Sequence, residues 1–254
     1  MRVAGSWEVR VVPHVGDLLA REIIAHLSEG GTLFASGGST GPALLGAMTD
    51  DQEFLSHLRT VMLAQVDERV VASRSEDSNW HVFQTVFLGP LAGRGDGPLG
   101  VLPILTPADD HRMDQLNDEV LASIAARYEA EIADHLPNSL IHLGIGPDGH
   151  IASLFPDSRA LDVLDRDVTW NIDPSGLNRH PRITLTYRAI SRAPRRVLCV
   201  QGASKAAIVA SLLEGAPMPA QDLPRERTVL IIDEEAASIA RQRGLLSQED
   251  HAAH

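Results

Sequence analysis

Apolar, often β-branched runs alternate along the chain with longer segments whose apolar residues recur every three or four positions. The runs at 32–36, 60–66, 101–105, 139–144, 182–186, 196–201 and 228–232 have the length and composition of buried strands. The segments at 14–28, 41–48, 51–58, 80–88, 113–135, 204–214 and 234–241 carry an amphipathic period and predict helices. Strand and helix in alternation predict an α/β fold with a mostly parallel, doubly wound sheet covered on both faces. In such sheets ligands collect at the carboxyl ends of the strands. Stretches 89–98 and 215–224 are rich in Gly and Pro and predict surface loops. No repeat or low-complexity linker divides residues 1–254, so a single domain is expected, with the polar tail after Gly244 disordered.

Composition narrows the class. At 254 residues, with 44% hydrophobic and 22% charged positions, the chain is long enough to enclose a substantial core. No apolar run approaches the ~20 residues of a membrane helix, and the N-terminus lacks the apolar core of a signal peptide. The single cysteine, Cys199, excludes an internal disulfide and sits in a strand-like run as inert core. A cytoplasmic protein, monomeric or a small homo-oligomer, is expected. The formal net charge of −12 argues against nucleic acid and anionic membranes as partners. An anionic ligand would therefore need local positive charge. Of the 22 basic residues all but Lys205 are arginine.

Candidate chemistry sits where strands end. Ser36-Gly37-Gly38-Ser39-Thr40-Gly41-Pro42 joins a strand to a helix, and its glycines let N–H groups converge on a phosphate at the helix N-terminus. An ordinary turn with Ser or Thr as helix cap reads equally well. Asp67-Glu68-Arg69 follows the strand at 60–66; an Asp and an Arg two apart can face one cavity, although a solvated acidic loop is the simpler account. Asp77-Ser78-Asn79 has the form of a cap for the helix near Trp80. His150 stands behind Asp148-Gly149 at the end of the run at 139–144, with an imidazole suited to proton transfer near neutrality. Arg182 opens a strand. Lys205 lies at the start of a helix, where a cation opposes the dipole unless an anion shares the position. No Cys/His spacing suits zinc and no Gly-x-Ser-x-Gly elbow occurs, so neither a metal nor a serine nucleophile is expected.

In this order the segments resemble the 6-phosphogluconolactonase family, which shares its fold with glucosamine-6-phosphate deaminases. The resemblance runs from about Gly31 to Asp233. It rests on the loop at 36–40, Asp67-Glu68-Arg69, Asp77-Ser78-Asn79, Gly146-Pro147-Asp148-Gly149-His150 and Ser153-Leu154-Phe155-Pro156. It continues through Asp173-Pro174-Ser175-Gly176, Pro181-Arg182-Ile183-Thr184-Leu185-Thr186 and Gly202-Ala203-Ser204-Lys205-Ala206. It implies a Rossmann-like fold, a phosphosugar lactone as substrate and no cofactor. It also implies a phosphate held by Gly38, Ser39, Thr40, Arg182 and Lys205. Two departures concern loop shape: Val70-Val71-Ala72 replaces an aromatic, Val and Pro, and Gly41 intervenes before Pro42.

The deaminase relatives place a proton-transferring glutamate five residues past the histidine. Here that position is Phe155. The resemblance therefore implies hydrolysis of 6-phosphoglucono-1,5-lactone. His150 acts as base toward water and then as acid toward the leaving ring oxygen, oriented by Asp148 or Asp67, with Arg69 positioning substrate or stabilising charge. A deaminase or isomerase on an amino-sugar phosphate, and a sugar-phosphate sensor without catalysis, are the alternatives.

Overall fold

The structure, a computed structural model, describes residues 7–37 and 40–246. Seven strands form the central sheet: β1 (Glu8–Val11), β2 (Thr32–Ala35), β3 (Met62–Gln65), β5 (Gly100–Leu102), β6 (Ser139–Leu143), β9 (Arg195–Val200) and β10 (Thr228–Ile232). Their order is β1-β10-β9-β6-β2-β3-β5, and every pairing is parallel. The chain runs outward from β2 through β3 to β5. It then returns to the other side of β2 at β6 and continues outward through β9 and β10. The direction reverses between β2 and β6, where the strand ends splay into a crevice.

Strands buried on both faces read as continuous apolar runs, and alternate residues divide between two cores. Leu33, Leu63, Leu140, Val197 and Ile231 face one core, with Leu19 and Ile23 of α1 (Val15–His26), Leu45 of α2 (Thr40–Ala47) and Phe54 of α3 (Gln52–Leu58). Phe34, Ala64, Ile141, Leu198 and Leu230 face the other. There they meet α6 (Asp118–Ile132), α7 (Tyr187–Arg192), α8 (Ala206–Leu213) and α9 (Glu234–Gln242). This is the doubly wound sheet that the strand–helix alternation predicts. Among the described residues, no helix is long and apolar enough to cross a membrane.

Several expected elements differ. The run at 182–186 is a strand, β8 (Arg182–Leu185), but it leaves the central sheet for a small antiparallel one in the order β4-β8-β7. Its partners are β4 (Asp67–Arg69), expected to be a loop, and β7 (Val168–Asn171), which lacks a long apolar run. The long segment at 113–135 is broken: 3₁₀ turns occupy Pro107–Gln115, and α6 begins only after Asn117, whose side chain caps the Val120 N–H. The helix after Ser78 does not stop at 88. It runs as α4 (Asn79–Phe83), a π turn (Gln84–Leu88) and α5 (Gly89–Ala92) into the expected loop, because a proline in a first turn forfeits no helical bond. Of the tail expected to be disordered, Leu245 and Leu246 pack against the core, and the rest lies outside the described residues.

Val66 joins the two sheets. Its N–H donates to Ala35 O of β2 at 3.1 Å, and its carbonyl accepts from Leu185 N of β8 at 2.9 Å. The small sheet thereby hangs beside the carboxyl ends of β2 and β6.

Candidate active site

A cavity of about 310 Å3 opens over the crevice. Its wall draws on the ends of four adjacent strands: Ser36 and Gly37 after β2, Asp67 and Arg69 after β3, Gly146 and His150 after β6, and Gln201 and Lys205 after β9. Arg182 of β8 and Asn178 of the loop before it close the cavity. Of the residues expected to hold phosphate, Arg182 and Lys205 border this one cavity. Gly38 and Ser39 lie outside the described residues, and so does the side chain of Thr40, the first residue of α2.

The turn after β6 is built to hold an imidazole. Gly146 N donates to His150 O at 2.8 Å and Gly149 N to Gly146 O at 3.0 Å, which closes the loop on itself. Gly149 has φ +82°, in the left-handed region that a side chain strains. A Cβ on Gly146 would lie 2.2 Å from His150 Nδ1, so the ring rests directly on a bare backbone. Asp148 Oδ1 stands 2.6 Å from His150 Nδ1 and also accepts the His150 N–H at 3.2 Å. Burial pushes the Asp148 carboxyl up, but the His150 hydrogen bond and charge outweigh it and leave the group below its ordinary value. A carboxylate accepting from Nδ1–H fixes the tautomer and leaves the Nε2 lone pair free.

Of the two aspartates left open by the sequence, Asp148 contacts the ring and Asp67 does not. Asp67 instead accepts from Ser153 Oγ at 2.6 Å. The Ser153 N–H donates to Thr184 Oγ1 of β8 at 3.1 Å, and its carbonyl accepts from Asn171 Nδ2 of β7 at 2.8 Å. Ser153 thus ties the histidine segment to the small sheet. Ala152, at φ 51°, turns the chain between them. Phe155 then packs edge-on to the His150 ring, 5.0 Å between centroids.

Cations face this arrangement. Arg69 Nη1 donates to Asp77 O at 3.0 Å. Arg182 is buried, and its Nη2 reaches Asn178 Oδ1 at 3.4 Å, while Nε and Nη1 have no partner. Burial lowers its pKa despite the nearby Asp67 charge. Lys205 Nζ donates to Ile145 O at 2.8 Å; burial lowers its pKa and Asp148 opposes the shift. Cys199, expected to be inert core, is buried but also borders the cavity.

Two supports escaped the sequence. Glu68 is fully buried beneath Asp67 and Arg69. It accepts from Gln65 Nε2, Ser78 Oγ and the backbone N–H groups of Arg69, Asn79 and Trp80. Burial raises its pKa against the pull of those donors. Ser78 does cap the following helix, as expected, through His81 N at 3.1 Å. The second support is Asp173, which clasps the loop carrying Asn178 by accepting from the N–H and hydroxyl of Ser175 and from the N–H and amide of Asn178. Burial pushes Asp173 up, but these bonds outweigh it and bring it to about 2. A lowered carboxylate stabilises the fold above its unfolded value of 3.8 and loses that contribution as pH falls through about 2. Amide exchange at Ser175 and Asn178, read by mass spectrometry, should therefore rise relative to the central strands across that interval. Unchanged relative protection would remove Asp173 as the clasp.

A histidine paired with a carboxylate, facing the buried Arg182 and the half-buried Arg69 and Lys205 at the switch point of a doubly wound sheet, has the form of an enzyme active site. The chain belongs to the glucosamine-6-phosphate isomerases/6-phosphogluconolactonase family, whose sequence pattern matches residues 7–231. It is 33% identical over 226 residues to a 6-phosphogluconolactonase of Mycobacterium leprae, spanning 83% of this chain and 85% of that one. To a 6-phosphogluconolactonase of Synechocystis it is 35% identical over 177 residues, 69% and 68% of the two chains. The fold matches a 6-phosphogluconolactonase structure from Trypanosoma cruzi with a TM-score of 0.75 at 23% identity, covering 94% of this chain and 97% of that one.

Proposed function

We propose that the chain hydrolyses 6-phospho-D-glucono-1,5-lactone to 6-phosphogluconate, with His150 as general base and no metal in the reaction. The His150 Nε2 lone pair removes a proton from water as the water oxygen bonds to C1. The C1 carbonyl becomes an oxyanion, and Arg69 lies in the wall to stabilise it. Collapse of the intermediate breaks the C1–O5 bond, and the imidazolium returns its proton to O5. Asp148 keeps the acceptor nitrogen available and stabilises the transient cation. Arg182, Lys205 and the N-terminal turn of α2, with Gly38, Ser39 and Thr40, hold the phosphate.

One observation carries the assignment: the buried Arg182 guanidinium, with two donor nitrogens unpartnered, borders the same cavity as the Asp148-bound His150. Unpartnered donors on a buried cation are costly unless an anion completes them. Phe155 packs on the histidine where the isomerising relatives need a proton-transferring glutamate, which favours hydrolysis over ring opening and deamination.

The test is lactone hydrolysis followed at several pH values with and without enzyme, beside ammonia release from glucosamine 6-phosphate. Hydrolysis above the spontaneous rate without ammonia is expected; ammonia without hydrolysis overturns the reading. Lys205→Ala should raise KM for the lactone about 10- to 100-fold, the worth of a charge-assisted hydrogen bond, with a smaller change in kcat. A loss confined to kcat would move Lys205 from the phosphate to the reacting carbon.

A further inference from the structure

Among the described residues, three that border the cavity carry buried polar atoms without a hydrogen-bond partner: Arg182, already assigned, Ser36 at Oγ, and His142 at both ring nitrogens. The His142 side chain is 1% exposed. It stands on β6 two residues beyond Leu140 and shares that residue's face, where the core is apolar. An imidazole there has given up water without a protein partner in exchange. Leucine or valine would fill the position without that loss, so the fold gives no reason for a histidine.

Its position supplies one. His142 pairs with Ala35 across the β2–β6 junction, and Ser36 N donates to His142 O at 3.1 Å. A Cβ on Gly41 would lie 3.4 Å from His142 Cε1, so the ring lies against the first turn of α2. Gly41 also borders the cavity. The helix N-terminus draws an anion to this point.

We propose that the imidazole of His142 and the hydroxyl of Ser36 hydrogen-bond the phosphate group of the ligand seated on the N-terminal turn of α2. The inference rests on the sugar-phosphate reading above and assigns two further binding residues to it. Burial pushes His142 down to about 4, so near neutrality the ring is uncharged and offers one N–H and one lone pair. A neutral donor suits a site that already holds Arg182 and Lys205, because it adds a hydrogen bond without adding repulsion between cations.

The test follows the His142 ring nitrogens by NMR in the full-length protein as inorganic phosphate, 6-phosphogluconate or gluconate is added. Phosphate and 6-phosphogluconate are expected to shift them, and gluconate is not. If neither phosphate compound binds anywhere, the sugar-phosphate reading falls and this inference with it. If they bind and His142 does not respond, only this inference falls. An equal response to gluconate would put the ring on the sugar and also overturn it. In parallel, His142→Leu should raise Tm, since an apolar side chain suits the strand. It should also raise KM for the lactone about 10-fold, more than it lowers kcat. His142→Gln, which restores a donor, should recover most of that loss. An unchanged KM in folded His142→Leu overturns the assignment.

Discussion

His150→Ala is expected to lower kcat for the lactone about 10²–10⁴-fold, the usual contribution of a positioned acid–base group. The geometry argues for the upper part of that range. In the proposed mechanism one imidazole serves both proton transfers, so its loss would slow the attack of water and the departure of O5 alike. The ring is also preorganised: it rests on Gly146, is bonded through Nδ1 to Asp148 at 2.6 Å, and is packed by Phe155. The proposed phosphate contacts do not involve His150, so KM should change much less. Asp148→Asn gives an independent check, because an amide at that position can present N–H to Nδ1 and select the tautomer that leaves Nε2 protonated. It too should depress kcat, and the pH at which activity rises should shift. His150→Ala turning over at the wild-type rate would remove the residue from the mechanism.

Glu68→Gln is expected to destabilise the protein by about 3–5 kcal/mol, a large share of the ~5–15 kcal/mol available to a native domain. One carboxylate oxygen accepts from Arg69 N and Asn79 N, each at 2.7 Å; the other accepts from Gln65 Nε2, Ser78 Oγ and Trp80 N. An amide keeps one acceptor oxygen and turns an NH2 toward the remaining donors. Whichever way it is flipped, at least two buried donors lose their partner, at about 1–3 kcal/mol each. Because those donors fix Arg69 and the start of α4, the folded fraction should also turn over the lactone more slowly. Chemical denaturation of the two proteins measures the first effect directly. A loss below about 1 kcal/mol would show that the Glu68 hydrogen bonds contribute little net stability.

What the sequence revealed follows from where each element is buried. Central strands are apolar on both faces, so the runs at 32–36, 139–144, 196–201 and 228–232 stand out whatever their neighbours. β1 is an edge strand, Glu8-Val9-Arg10-Val11, too short and polar to register. β4 is three charged or acidic residues that become a strand only because β8 pairs with them. β8 itself was legible as a strand, but periodicity carries no information on which sheet it joins. The same limit governs the site. A histidine behind Asp-Gly at a strand end declares itself locally, and Asp148 reaches the ring from two residues away. That Asp67 is engaged by Ser153, 86 positions distant, is a tertiary fact with no local signal. Glu68 was hidden between two charged neighbours that looked more useful. His142 was hidden because a single polar residue does not disturb an apolar run.

Val66 gives the molecule a mechanical character. Arg182 is mounted on the small sheet and Lys205 at the end of a strand of the large one, and the two bodies meet along the backbone at Val66 and along side chains at Ser153 and Asp67. A phosphosugar held by both cations would span that seam like a strut. Its size must then match the width of that seam, because Val168, Ile183 and Leu185 of the small sheet share one core with Phe34, Ile141 and Leu198 of the large one. Selectivity in such a machine is a matter of span: a ligand too short to reach both cations would forgo one of them, while the imidazole stays fixed on Gly146, Asp148 and Phe155.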